Sequence, residues 1–134
     1  MSSWVDNIVA ITLFQEDLEA AKAFYQHVFE LPVRYEDTDS AMFMFGTTMI
    51  NLLRATAADE LIAPAPVGDG ASRHRMQLTL EVENVDEMCQ QLAEIGVRLL
   101  NGPMDRPWGL RSASFEDPGG HIWEIIHPTP VGDA

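Results

Sequence analysis

Lysine is nearly missing from this chain: Lys22 is the one example, and seven arginines bring the bases to only eight against 21 acids. The net charge of −13 repels phosphate backbones and anionic membranes. It argues against nucleic acid and lipid as partners and favours a cationic ligand. Cysteine is as scarce, for Cys89 stands alone and no internal disulfide or thiolate cluster is available. No apolar run approaches the roughly 18 residues of a membrane span. Met1–Ser3 lead straight into Trp4 and Val5 without the basic stretch and apolar run of a signal peptide, so a cytoplasmic location is the expectation. What the chain does have is core material, with 46% hydrophobic residues against 22% charged in 134 residues. That length suits one domain, which typically buries roughly two-thirds of its unfolded surface.

Comparison of the two halves uncovers a repeat. Asp17 precedes apolar positions at 18, 21, 25 and 28, which is helical spacing behind an N-cap residue. A shift of 67 residues brings Asn84 onto the cap position and apolar residues onto 85, 88, 92 and 95. Asn84 and Glu87 form a capping-box pattern, and Gly96 suits a left-handed helix end. Tyr25 and Cys89 then read as core residues.

Each helix follows a strand-like segment. Met76, Leu78, Leu80 and Val82 alternate with Gln77, Thr79 and Glu81, as on a strand with one side on a core. Val5–Phe14 is more uniformly apolar and reads as a strand covered on both faces. After the first helix come Val33–Glu36, Ala41–Phe45 and Thr48–Leu53, with a turn at Gly46-Thr47. After the second come Val97–Leu100, Ser112–Glu116 and His121–His127, with a stronger turn at Asp117-Pro118-Gly119-Gly120. Asn101–Arg111 reads as irregular. Both halves are therefore β-α-β-β-β, and the fold class is α+β. The expected organisation is a single domain, with module 1 at about 4–54, a linker or binding loop at about 55–75, and module 2 at about 76–128.

A twice-repeated βαβββ unit resembles the vicinal oxygen chelate superfamily, which includes glyoxalase I, extradiol dioxygenases and bleomycin-resistance proteins. The residues that carry the likeness are Asp17-Leu18-Glu19-Ala20-Ala21 leading to Phe24-Tyr25, then Trp108-Gly109, and Phe115-Glu116-Asp117-Pro118-Gly119-Gly120-His121 ending in Trp123-Glu124. The resemblance implies curved mixed sheets around a cup and a homodimer. It also implies four metal-ligand positions, which fall here on Ala10, Asn51, Gln77 and Glu124. The internal repeat pairs the same positions independently, Ala10 with Gln77 and Asn51 with Glu124. Ala10 has no donor and Asn51 only an amide oxygen, whereas a catalytic metal needs about three good anionic or imidazole ligands. His74 and His121, three residues from Gln77 and Glu124, fall on the opposite faces of their strands. No metal cofactor is therefore the first expectation, with a divalent metal on Gln77 and Glu124 as the alternative.

Strand alternation places Glu124 on the cup side with Ile122 and Ile126, and Asn51 between Met49 and Leu53. The repeat is read as setting Ala41, Phe43 and Phe45 on the same side as Ser112, Ser114 and Glu116. Expected ligand-binding residues are Glu124, Gln77, Asn51, Phe43, Phe45, Trp108, Ser114 and Glu116, with no catalytic residue assigned. Trp108 is a candidate to stack on a flat ligand, and Trp123 a candidate for the helix-packed core. Three functions compete. The first is a metal-free protein resembling the bleomycin-resistance branch, which sequesters a cationic or aromatic natural product without turnover. The second is a metal-dependent lyase or dioxygenase of the same superfamily with altered ligands. The third is a non-catalytic interaction module whose cup is plugged by its own side chains.

Overall fold

A computed structural model of the chain describes residues 8–69, 74 and 76–130. The start of the first expected strand, and residues 70–73 and 75 of the expected connection, lie outside the described residues. The elements run β1 (Ala10–Gln15), α1 (Leu18–Val28), β2 (Tyr35–Glu36), β3 (Ser40–Phe45), β4 (Thr48–Arg54), α2 (Ala55–Ile62), β5 (Gln77–Glu81), α3 (Val85–Glu94), β6 (Leu99–Arg106), β7 (Leu110–Glu116) and β8 (Ile122–Pro128). Internal contacts divide the chain into two compact units, Met1–Ala71 and Ser72–Ala134.

Each unit holds a four-stranded mixed sheet, in the order β1-β4-β3-β2 and β5-β8-β7-β6 respectively. The outer pairs β1–β4 and β5–β8 are parallel, and the remaining pairs are antiparallel. The registers repeat as the sequence predicts. Ala10 lies opposite Met49 and Gln77 opposite Ile122; Thr12 lies opposite Asn51 and Thr79 opposite Glu124. Residues 10 and 77 therefore hold matching places in the two sheets.

The helices form where the caps and apolar spacing direct them. Asp17 accepts a hydrogen bond from the Ala20 amide at 3.0 Å, and Asn84 accepts one from the Glu87 amide at 3.0 Å. A second acceptor serves α3 from β8, where His127 Nδ1 takes the Val85 N–H at 2.8 Å. Satisfying these otherwise orphaned donors anchors each helix start to its unit. Leu18, Ala21, Tyr25 and Val28 of α1 are buried, as are Val85, Cys89 and Leu92 of α3. Burial pushes the Cys89 thiol pKa up, which leaves a core residue and not a thiolate nucleophile. In the first unit the core is aromatic, with Tyr25 against Phe43 and Phe29 against Phe45 at centroid separations of 5.6 and 5.1 Å. In the second, Ala113, Phe115, Trp123 and Ile125 are buried.

The structure departs from the sequence reading at several elements. Residues read as the opening of a linker form α2 and bury Ala58. The irregular stretch from Asn101 is largely strand, because β6 runs on to Arg106 through two register shifts. Finally, β1 is not covered on both faces in the described chain. Leu13 and Gln15 are buried, but Ala10 and Thr12 are exposed.

The turn between β7 and β8 is tied by Asp117, whose side chain is fully buried. Its Oδ1 accepts the Gly119 amide at 3.0 Å, the His121 amide at 2.8 Å and His121 Nδ1 at 3.0 Å. Hydrogen bonds to a charged acceptor are worth about 1.5–3 kcal/mol each, and these three share one carboxylate. Asp117→Ala is expected to cost about 3 kcal/mol in urea unfolding. A loss below about 1 kcal/mol would show that solvent replaces the carboxylate at this turn.

Candidate functional site

Each sheet has one face on its helix and one open face, and pleating sends alternate residues to the two. On the second sheet the helix face carries Ala113, Phe115, Trp123 and Ile125, all buried. The open face therefore carries Gln77 and Thr79 from β5, Ile122, Glu124 and Ile126 from β8, and Ser112, Ser114 and Glu116 from β7. Register aligns Thr79, Glu124, Ser114 and Asn101 in one row across four strands. Glu124 Oε1 accepts from Thr79 Oγ1 at 3.0 Å and lies 3.4 Å from Gln77 Nε2. Glu116 meets His74 Nε2 at 3.5 Å. Glu124, Gln77, Ser114 and Glu116 thus share one surface.

The first sheet presents a different open face. The corresponding row is Thr12, Asn51, Met42 and Tyr35. Met44 and Met49 lie opposite one another in the next row. Asn51 Oδ1 is buried there with no hydrogen-bond partner among the described residues. In this unit a hollow of about 380 Å³ lies beside the end of α2, lined by Asp59, Glu60, Ala63, Pro64, Ala65 and Pro66. It contains none of the expected site residues.

Phe43 and Phe45 require a correction. They lie on the helix face, with ring centroids 5.6 and 6.3 Å from Tyr25, and Phe43 is fully buried. The reason is one residue of turn length. Phe45 lies opposite Thr48 across two residues. The corresponding pair, Asp117 and His121, closes across three, with the Asp117 amide donating to the His121 carbonyl at 2.9 Å. Ala41 therefore corresponds to Ala113 and Phe43 to Phe115, and a slip of one residue exchanges the faces of a strand. Trp108 sits at the tip of the β6–β7 turn and is 66% exposed.

Sequence reasoning missed Arg106 and Asn101. Arg106 donates from Nε to Ser112 Oγ at 2.8 Å and from an Nη to Asn101 Oδ1 at 3.1 Å, which brings a guanidinium to the open face of the second sheet. The Gly102-Pro103 pair made this segment look like a loop, and the usable signal was the Met104, Arg106 alternation that resumes after it. Arg111 serves the other face. It holds Asp86 at 2.6 and 2.8 Å and Asp105 at 2.9 Å. The guanidinium draws the Asp86 carboxyl below its ordinary pKa, and the two carboxylates raise that of Arg111.

The four positions expected to hold a metal do not fit one. Ala10 offers no donor, Asn51 is a neutral amide, and the Glu124 oxygen nearest Gln77 already accepts from Thr79. Among the described residues no three His, Cys, Asp or Glu side chains are grouped to hold a metal ion. His121 is engaged by Asp117 and His127 by the Val85 amide, so neither turns toward Glu124. One carboxylate with two amides falls short of a catalytic transition-metal set. None of the helices among the described residues is long and apolar enough to cross a membrane.

Known proteins agree with this architecture. An uncharacterized protein of Bacillus subtilis (strain 168), YraH, is 30% identical over 122 residues, covering 88% of this chain and 95% of YraH. A glyoxalase-related enzyme from Fulvimarina pelagi superposes with a TM-score of 0.81 at 25% identity, over 91% of this chain and 88% of that one. TnmS3, an antibiotic-binding protein from Streptomyces sp. CB03234, superposes with a TM-score of 0.72 at 24% identity, over 96% and 100% of the two chains. The family profile matches residues 7–125, from ahead of β1 into β8, and the chain belongs to the Glyoxalase/Bleomycin resistance protein/Dioxygenase superfamily.

Proposed function

We propose that this chain is a metal-free small-molecule-binding protein of the bleomycin-resistance type, which sequesters a cationic or aromatic natural product without turnover. The observation that carries the reading is the open face of the second sheet. There a half-buried carboxylate, Glu124, is steadied by Thr79 and Gln77 in a donor set too poor for a catalytic metal. The charge of −13 draws a cation toward it. Met42, Met44 and Met49 give the first sheet a polarizable, adaptable open face suited to aromatic rings. Exposed Trp108 adds a stacking group. TnmS3, which shares the fold, is an antibiotic-binding protein. Homodimerisation and a cytoplasmic location belong to the same proposal.

Bleomycin and ethidium are suitable probes, one a cationic glycopeptide and the other a planar aromatic cation. Either one at 100 times its dissociation constant raises stability by about 2.7 kcal/mol, which a thermal-shift assay reads directly. Glu124→Ala is expected to weaken that probe about tenfold, or about 1.4 kcal/mol, with the melting temperature of the unliganded protein unchanged. Binding unaffected by the substitution removes Glu124 from the site. One transition-metal equivalent per chain, in protein purified without chelator, favours the metal-dependent lyase or dioxygenase instead.

A further inference from the structure

Among the described residues, the half-buried lysine and arginine side chains are matched to acids in every case but one. Lys22 pairs with Glu19 and Glu36, Arg54 with Asp39, and Arg111 with Asp86 and Asp105. Arg106, also half-buried, has no carboxylate partner among the described residues, in a protein with 21 acids. Two neutral oxygens hold it instead. Ser112, fully buried, fixes Nε, and Asn101 fixes one Nη, so the plane of the guanidinium is set while the other Nη has no protein acceptor among the described residues. A guanidinium oriented in this way, with its charge unneutralised, suits bidentate capture of a carboxylate.

We infer that Arg106 is an anion subsite on the same face as Glu124, and that the ligand class is amphoteric: a small molecule with a carboxylate for Arg106 and a protonated amine for Glu124. The inference rests on the reading of this face as the binding site. Asn101, Ser114 and Glu124 share one row on β6, β7 and β8. Two strand spacings therefore separate the anchor of the guanidinium from Glu124, about 10 Å. Net charge favours the pairing over a simple anion. A simple anion approaches against a field of −13, whereas a zwitterion has no net charge to repel.

The test compares 4-(aminomethyl)benzoate with benzylamine and benzoate by calorimetry on the full chain, with the Arg106 Nε–H resonance followed by NMR. 4-(Aminomethyl)benzoate is expected to bind at least tenfold tighter than benzylamine and to shift that resonance. Arg106→Gln is expected to reduce the ratio to about one. Arg106→Lys, which keeps the charge but not the fork, is expected to retain only a few-fold preference and covers the case in which the glutamine variant does not fold. A ratio near one in the wild type, or a tenfold ratio that survives both substitutions, overturns the anion subsite. Glu124-dependent benzylamine binding with no gain from the carboxylate leaves the proposed function standing without this inference. Arg106-dependent binding of benzoate alone overturns the amphoteric ligand and counts against cation capture as well.

Discussion

Gly102→Ala is expected to lower the melting temperature by roughly 10 °C. Gly102 has φ of +87°, and a Cβ built on it would collide with the Ser112 carbonyl oxygen and lie 2.7 Å from Ala113 Cα. Both obstacles are backbone of the neighbouring strand, so no side-chain rotation relieves them. The left-handed conformation costs an alanine about 1–2 kcal/mol, and overpacking adds about 1–3 kcal/mol. A total near 3 kcal/mol corresponds to about 10 °C for a chain of this size. Gly109 supplies the control, because its φ is +85° with nothing within 4 Å of the added carbon. Gly109→Ala therefore carries the dihedral cost alone and is expected to lose only about 3–7 °C. Equal losses in the two variants would remove close packing as the reason for glycine at 102.

The same residue sets the phase of the site. Asn101 lies opposite Ser114 and Met104 opposite Ser112, so three steps on β6 match two on β7. That extra residue makes a bulge. Without it, Asn101 and Arg106, five residues apart, would point to opposite faces of the sheet. With it, the Arg106 guanidinium reaches Asn101 Oδ1. Gly102→Ala is accordingly expected to weaken the Arg106-dependent preference for 4-(aminomethyl)benzoate in whatever fraction remains folded.

This bulge also marks where the sequence stops being legible. The helices, their caps and the parallel strand registers follow from periodicities of 3.6 and 2, and two copies of the pattern check one another. Glu124, Gln77 and Ser114 could be placed because they lie on uninterrupted strands. Arg106 could not, because the phase of β6 depends on how the Gly102 backbone packs on β7, a contact between segments ten residues apart. Phe43 and Phe45 failed for a related reason. Their face depends on the turns being two and three residues long, and a difference of one in that count inverts the strand. Local spacing records the elements; register across an irregular connection is decided by tertiary packing.

Phe43→Ala tests that inversion with the second large effect. The Phe43 ring is fully buried beneath α1, 5.6 Å from the Tyr25 ring, and Phe43 pairs across the sheet with buried Ile50. Truncating a buried phenylalanine to alanine removes the transfer free energy of the ring and leaves a cavity, together about 3–5 kcal/mol. For this chain that is a fall of about 10–15 °C in melting temperature. Met42, its neighbour on β3, lies on the open face and is only partly buried. Met42→Ala is expected to cost about 1 kcal/mol or less, since little packing is lost there. Ligand affinity of Phe43→Ala is to be measured well below the melting temperature of the variant. Loss of Phe43 leaves bleomycin or ethidium binding close to wild type, because its ring faces α1 and not the open face of its sheet. A Phe43→Ala protein that melts within about 3 °C of wild type but no longer binds would return the phenylalanine to the ligand face and overturn the register derived from the two turns.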